Sequence, residues 1–566
     1  MILQMKNWLG ECKDKHEFCR NADLYKAKDS GEYRPPSRLL EVKDQNGEVL
    51  VHLIGAENLP NDTKYMTLSY RWPKESVVRL TKANEASFRQ RITLLYLPRT
   101  IQDAILLVNR LGCEYLWVDA LCIIQDSEAD WLQESAKMCD YYSRSVLSIS
   151  ASTTDSDSGF LKTRNPLAEM PCRVIPKGKT RPLYVRQPSV LTDGEIDPLR
   201  KHPLNQRGWV FQERLLAPRI VHFTDVEVFW ECATALSSDI YPERMWDAAR
   251  KRWLAYAGAT LNQTPVLENF IGGPGTFGQF VHRGSTFGPM DVNMWTELIE
   301  EYSNLDLSFE HDKLAAIGGL ARKAHEVTSG KLGRYLAGLW EKCLALQLGW
   351  MTYPYFPDVF MNPRSAIYKA PSWSWASVSC RVMYSRNERF SDDNWFRLLD
   401  VHLEHALDPY GPLKTGWLRL RGSLLRVKLT RPREDNGPAH PETYPMIYYR
   451  FSNSSYRSYD SQVQMDGNPV SEIPQPEGTI VYAFPIASYH HDIFHSLHTL
   501  LLKPTGKKNG QYTRVGVLRI GMEEEMEDFI YTYRRQPNLE SRLFQDYQSG
   551  PQTGALLTQE YIVELV

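Results

Sequence analysis

The sequence lacks any uninterrupted apolar run near the roughly 18 residues that a membrane-spanning helix needs, so no stretch reads as a transmembrane segment. It also lacks a basic tract. The 66 Lys and Arg are interspersed with 68 Asp and Glu for a formal net charge of −2, which excludes the electrostatic footprint of a nucleic-acid binder. The opening MILQMKNWLGE has no ordered succession of charged, apolar and small residues, so it does not read as a signal peptide, and a cytoplasmic protein is expected. Nine cysteines, an odd number scattered over 566 residues, are too few and too dispersed for a disulfide framework and fit reduced thiols. No dinucleotide fingerprint, zinc signature or Ser-His-Asp arrangement stands in its required context. The glycine-rich stretch 272–289 lacks the Lys-Ser/Thr ending of a phosphate loop and reads as a lid or connector.

What is present is an ordinary globular balance, 42% apolar and 24% charged, in a chain too long for one core and expected to form two to four units. Fifteen Trp and thirty Tyr are many for this length and suggest aromatic-lined interiors or pockets. Near the start, Cys12, His16 and Cys19 follow at i, i+4 and i+7, one face of a helix. Three soft donors invite zinc, but a closed site needs a fourth and none stands nearby, so a packed helix face is expected and no metal is assigned.

From Tyr65 the pattern sharpens. YMTLSYRW reads as a buried strand running into a loop at Ser69, Tyr70, Arg71 and Trp72. LPRTIQDAILLVNRLG reads as a helix with Thr100 and Asp103 at capping-box spacing and Gly112 closing it. YLWVDALCII, Tyr115 to Ile124, reads as an apolar strand interrupted by Asp119, a carboxylate that must be paired or serve a site. Beyond Asp126, a second helix carries Trp131, Glu134, Met138, Tyr141 and Tyr142, and SVLSISAS is a third strand. Strand, helix, strand, helix, strand predicts a parallel sheet covered by helices on both faces, with ligands beyond the carboxyl ends of the strands. Residues 153–206 read as an insertion containing one strand, PLYVR. RGWVFQERLL, Arg207 to Leu216, is then a short helix stopped by Pro218, with Trp209 and Glu213 one turn apart. RIVHFTDVEVFWEC reads as a hairpin turning at Thr224 and Asp225, its His222 more consistent with a satisfied core residue than with a base. Residues 239–350 show helical periodicity, APSWSWASV places Trp373 and Trp375 on one face if extended, and a period of two from Gly416 predicts a C-terminal antiparallel β unit. The expected divisions are 1–60, an N-terminal extension; 61–238, the α/β domain; 239–380, a helical region; and 381–566, a β-rich region.

The blocks YMTLSYRW, LPRTIQDAILLVNRLGCEYLWVDALCIIQDSEADWLQESAKM and RGWVFQERLL, in that order and spacing, resemble the heterokaryon-incompatibility (HET) domain of filamentous fungi. That domain is in turn similar to Toll/interleukin-1 receptor (TIR) domains, flavodoxin-like α/β modules of which some cleave NAD at the nicotinamide bond. The resemblance implies Glu213 as the catalytic carboxylate with Trp209 beside it, and places Arg71 and Trp72 on the ligand-binding loop. Together with the strand-end reading this makes Glu213, Asp119 and Arg71 the catalytic candidates and Ser69, Tyr70, Trp72, Asp126 and Trp209 the substrate-binding ones. HET proteins usually carry an SYCWG-like run where this chain has SYRWP, so Arg71 and Pro73 alter the first loop. No resident cofactor is implied, and NAD enters as a candidate substrate. The first function implied is NAD or nucleotide cleavage in fungal non-self recognition and cell death. Alternatives are an enzyme of secondary metabolism acting on a small organic substrate in the same cleft, and a signalling module without activity that self-associates or binds a partner incompatibility protein.

Overall fold

Short strands, most of them wholly buried, build the sheet at the centre of the first of two units. The computed structural model describes residues 1–16, 19, 35–72, 78–153, 158–163, 172–175, 183–185, 199, 202–232, 235–240, 289–352, 367–385, 389–391, 395–430, 448–452, 458–466, 480–490, 495–520, 547–549 and 559–566. The chain divides into Met1–Thr286 and Phe287–Val566.

The first unit begins with helix α1 (Ile2–Lys15) and a hairpin of β1 (Arg38–Gln45) and β2 (Glu48–Gly55). Then come β3 (Met66–Ser69), α2 (Glu85–Gln90), α3 (Arg99–Leu111), β4 (Tyr115–Trp117), α4 (Asp119–Cys122), α5 (Glu128–Arg144) and β5 (Leu147–Ala151). A separate pair, β6 (Cys172–Val174) and β7 (Leu183–Val185), contains the strand expected in the insertion. The unit continues with α6 (Gly208–Leu216), β8 (Arg219–Phe223), β9 (Val228–Cys232) and β10 (Leu236–Ser238).

Eight of these strands form one sheet in the order β10-β9-β8-β5-β3-β4-β1-β2. The central β4, β3, β5 and β8 run parallel. In chain order they stand second, first, third, fourth, the opening of the flavodoxin-like order, with the reversal point between β3 and β5. Right-handed crossovers therefore set α3 and α5 on opposite faces, and α5 packs against α6. Complete burial of β3, β5, β8 and β9 agrees with cover on both faces.

The sheet is mixed rather than wholly parallel, for two local reasons. The tight turn after Phe223 can only return the chain antiparallel, as the TD turn predicts. At the other end β1 and β2 join through Asn46 and Gly47, both at positive φ (57° and 88°), the two-residue turn whose twist suits a hairpin. Residues ahead of the expected domain start at 61 thus belong to the sheet.

Three local differences bear on the site. Strand β4 stops at Trp117, short of the expected Ile124, because Asp119 opens a helical turn and its Oδ1 accepts the Ala120 N–H at 2.7 Å. A carboxylate finds such a donor at a strand end and not in a strand's apolar middle. Asp103 makes no capping box with Thr100; it accepts the N–H groups of Phe160 and Leu161 at 2.8 and 2.9 Å, fastening the loop after β5. Helix α1 ends at Lys15, and His16 is extended (φ −92°, ψ 103°), so Cys12, His16 and Cys19 do not continue along one helix face.

In the second unit Pro289–Tyr302 and Ala315–Val327 are helical as expected, but 331–350 is not one helix. Tyr335–Leu336 and Leu339–Trp340 pair across Ala337 and Gly338, at φ 45° and 101°. The Nε1 groups of Trp295 and Trp375 both donate to Gly338 O at 3.0 Å. Trp373 and Trp375 are fully buried in a turn instead of an extended strand, and serve as packing anchors. Among the described residues the C-terminal sheet has eleven strands on and off its main path, and its pairs are antiparallel except Gln511–Ile520 with Gln559–Leu565. The helix expected at 244–258, most of the glycine-rich stretch and the acidic run 523–528 lie outside the described residues.

Candidate functional site

The sequence GWVFQERLL makes a nine-residue helix with no N-terminal side-chain cap, ended by Pro218. Its buried residues include Val210, Gln212, Glu213, Leu215 and Leu216. Arg207, immediately before it, donates from Nη1 to Tyr70 O at 2.8 Å, tying the loop after β3 to the start of α6. Glu213 is consequently carried to the carboxyl end of β3. Only 8% exposed, it accepts through Oε2 a hydrogen bond from the Ser69 hydroxyl. Tyr142 Oη stands 3.5 Å from Ser69 Oγ and donates to Leu68 O at 3.3 Å.

Among the described residues the Glu213 carboxylate makes no ion pair. Burial raises its pKa to about 7, and the Asp119 charge adds to the rise, while the Ser69 hydroxyl, Arg207 and Tyr142 oppose it. Asp119, at the end of β4, accepts the Trp72 indole N–H at 2.9 Å. Burial raises this carboxyl too, against the hydrogen bonds from Trp72 and Ala120 and the charge of Arg207. Tyr70 is buried, and burial first, then Asp119, lifts its phenol well above the ordinary range, so it remains a donor. Its Oη has no hydrogen-bond partner among the described residues, an uncommon state for a buried hydroxyl.

Five of the eight expected residues, Ser69, Tyr70, Trp72, Asp119 and Glu213, thus meet or face one another at the strand ends beside the reversal point. The other three are placed differently. Arg71 is exposed. Asp126 accepts the Lys82 N–H at 3.0 Å. Trp209 packs edge-on against Trp131 of α5, ring centroids 6.3 Å apart, and the aromatic group at the Glu213–Ser69 pair is Tyr142. Pro73 lies outside the described residues.

Sequence reasoning missed Tyr142, absorbed into the aromatic stripe of α5, and Arg207. It also missed a second buried network beneath α6. Arg214 clasps Glu231 of β9 with Nε and Nη2, both at 2.9 Å. His222 of β8 stands 2.8 Å from Glu231 through Nε2 and 3.1 Å from Ser150 Oγ through Nδ1. Burial opposes ionisation of Glu231, but Arg214 and His222 outweigh it and hold the carboxyl down at about 2. His222 is fully buried with both ring nitrogens engaged, as expected of a core histidine. The signal for this network was the period of two: Ser150 and His222 are register partners on neighbouring parallel strands and share a face.

A doubly wound α/β domain with a buried acid, free of ion pairs among the described residues, beyond its strand ends is the class that this geometry defines. Residues 65–213 of it match the family model described as Heterokaryon incompatibility protein (HET), from the strand β3 segment through Glu213 itself. The chain thus carries a HET domain over those residues. No curated protein and no solved structure matches it. No helix among the described residues is long and apolar enough to cross a membrane.

Proposed function

We propose that this domain cleaves the N-glycosidic bond of NAD or a related nucleotide, with Glu213 as the catalytic carboxylate. The observation that carries the reading is a buried glutamate with a pKa of about 7, without a cation partner among the described residues and held by Ser69 at the reversal point of the sheet. The order of the parallel strands, and a helix bearing a Trp and a Glu one turn later, support a TIR-like reading of the core.

In the proposed reaction the bond between ribose C1′ and the pyridinium nitrogen breaks, and its electron pair neutralises the departing nicotinamide. Positive charge develops on the ribose, where the Glu213 carboxylate stabilises it and orients a ribose hydroxyl. Water adds to C1′ and gives up one proton. The Tyr70 hydroxyl, without a hydrogen-bond partner among the described residues, and the Trp72–Asp119 pair supply a donor and an aromatic wall for the nucleotide. NAD depletion by such a reaction would link the domain to cell death on non-self recognition.

The test is nicotinamide release from NAD by the purified full chain and by Glu213→Gln, with folding checked by circular dichroism. Release by the wild type and its loss in the variant is the expected result. NAD left intact by the wild type, or equal rates in the two proteins, overturns the reading.

A further inference from the structure

The N-terminal helix brings a second chemistry-bearing cluster together, away from the Glu213 site. Cys12 from α1, His16 and Cys19 just after it, and Cys232 at the end of β9 are all buried, and their donor atoms lie within 4.8 Å of one another. His16 Nδ1 stands 3.4 Å from Cys232 Sγ and 3.9 Å from Cys19 Sγ. A tetrahedral zinc ion with Zn–S near 2.3 Å and Zn–N near 2.0 Å separates nitrogen from sulfur by about 3.5 Å, which lies between these two values. The fourth donor that local spacing could not supply comes from a strand more than two hundred residues on.

We propose that Cys12, His16, Cys19 and Cys232 bind one zinc ion in a closed, structural Cys3His site that clasps α1 to β9. Three observations besides ligand count support it. Apolar packing explains a buried cysteine, but it does not explain an imidazole whose Nδ1 faces two sulfurs. Alternation along β9 sends Cys232 and Trp230 to the α1 side, where Trp8 meets Trp230 at 6.0 Å, and sends Glu231 to the α6 side, so the two clusters do not compete for a residue. Finally, Arg219, the register partner of Cys232 on β8, is 2% exposed and directs its Nε at Cys12 Sγ, 3.2 Å away. Binding releases three thiol protons to solvent and leaves a centre with one net negative charge, which that guanidinium offsets. Soft sulfur donors with one imidazole select zinc over magnesium or calcium, and four protein ligands leave no open position for substrate.

The test uses the full chain expressed with zinc and passed through a desalting column. Elemental analysis is expected to give about one equivalent of zinc per chain, released when a mercurial titrates the thiols. Cys232→Ser and Cys12→Ser should lose that zinc, His16→Cys should retain it, and Cys113→Ser, outside the cluster, should leave it unchanged. Should the Ser variants fail to fold, the wild type still decides. Cobalt exchanged into it should show tetrahedral ligand-field bands and thiolate charge transfer, and Cys12, Cys19 and Cys232 should resist alkylation until a chelator is added. A folded wild type without zinc whose three thiols alkylate freely overturns the proposal, as does mass-spectrometric detection of a disulfide among them.

Discussion

Replacing Glu213 by Gln should stabilise the protein at alkaline pH and leave it nearly unchanged in acid. The carboxyl has an ordinary value of 4.5 and a folded value of about 7, raised by burial and by the charge of Asp119 against the hydrogen bond from Ser69. A folded pKa above the unfolded one means that the folded chain holds its proton longer. Stability is then full below 4.5, falls as pH rises from 4.5 to about 7, and carries a constant penalty above that. At about 1.4 kcal/mol per pH unit the penalty approaches about 3 kcal/mol. Gln keeps the shape and can accept from Ser69, but never ionises. The difference in stability between variant and wild type should thus be close to zero near pH 4 and about 3 kcal/mol in favour of the Gln variant near pH 8.5, on the order of 5–10 °C in Tm for a unit of this size. The Asp119 carboxyl, also raised by burial, is present in both proteins and largely cancels in the difference. Thermal unfolding of both proteins across that pH range reads the effect without any substrate. Parallel curves would refute the reasoning, because they would mean that the carboxylate is solvated or neutralised by a cation. A Gln variant that is both more stable in alkali and unable to release nicotinamide would show that the acid is retained at a cost to stability.

Ser69→Ala removes the hydroxyl that favours the ionised form of Glu213, a bond to a charged group worth about 1.5–3 kcal/mol, so the midpoint should climb above the wild-type value of about 7. Infrared titration of the protonated carboxyl, with Glu213→Gln subtracted, checks this, and an unmoved midpoint contradicts it. In the second unit, Arg514 is fully buried against Asp466 at 2.8 and 3.0 Å, donates to Leu348 O at 2.6 Å and lies over the Trp350 ring at 3.5 Å. Asp466→Ala removes the carboxylate that offsets this buried charge and should cost about 3–5 kcal/mol, with Asp466→Asn costing less; denaturant unfolding measures both, and a loss under about 1 kcal/mol for Ala would refute the charge-burial argument.

How much of this was legible depends on whether the deciding contact is local in sequence. Helix α3 and strands β3 and β5 followed from apolar spacing and a closing glycine, because the period of a segment reports which side of it is buried. Asp119 stood out because a carboxylate in an apolar run demands a partner, and the partner proved to be the Trp72 indole on the neighbouring strand's loop. The pairing of Trp209 with Glu213 shows the limit of that method. Helical spacing brings two Cα–Cβ bonds to one side, but side chains lean toward the N-terminus, and at the first turn of α6 this carries the indole toward Trp131 of α5. The mixed character of the sheet was written in Asn46–Gly47, a hairpin signal inside a segment read as an extension.

The fourth cysteine marks the same boundary most sharply. Cys12, His16 and Cys19 declare three donors within one short segment, and their sequence neighbours offer no fourth. Strand alternation on β9 fixes which side Cys232 faces, but only the packing of α1 onto that side brings the sulfur to the imidazole. The same strand turns Glu231 inward to Arg214, next to Glu213 on α6. One five-residue strand therefore anchors the N-terminal helix with one face and braces the acid-bearing helix with the other. Loss of zinc should loosen α1 first, seen as faster amide exchange over residues 2–15. Exchange in α6 should change less, because its clasp to β9 runs through Glu231 and not through the metal.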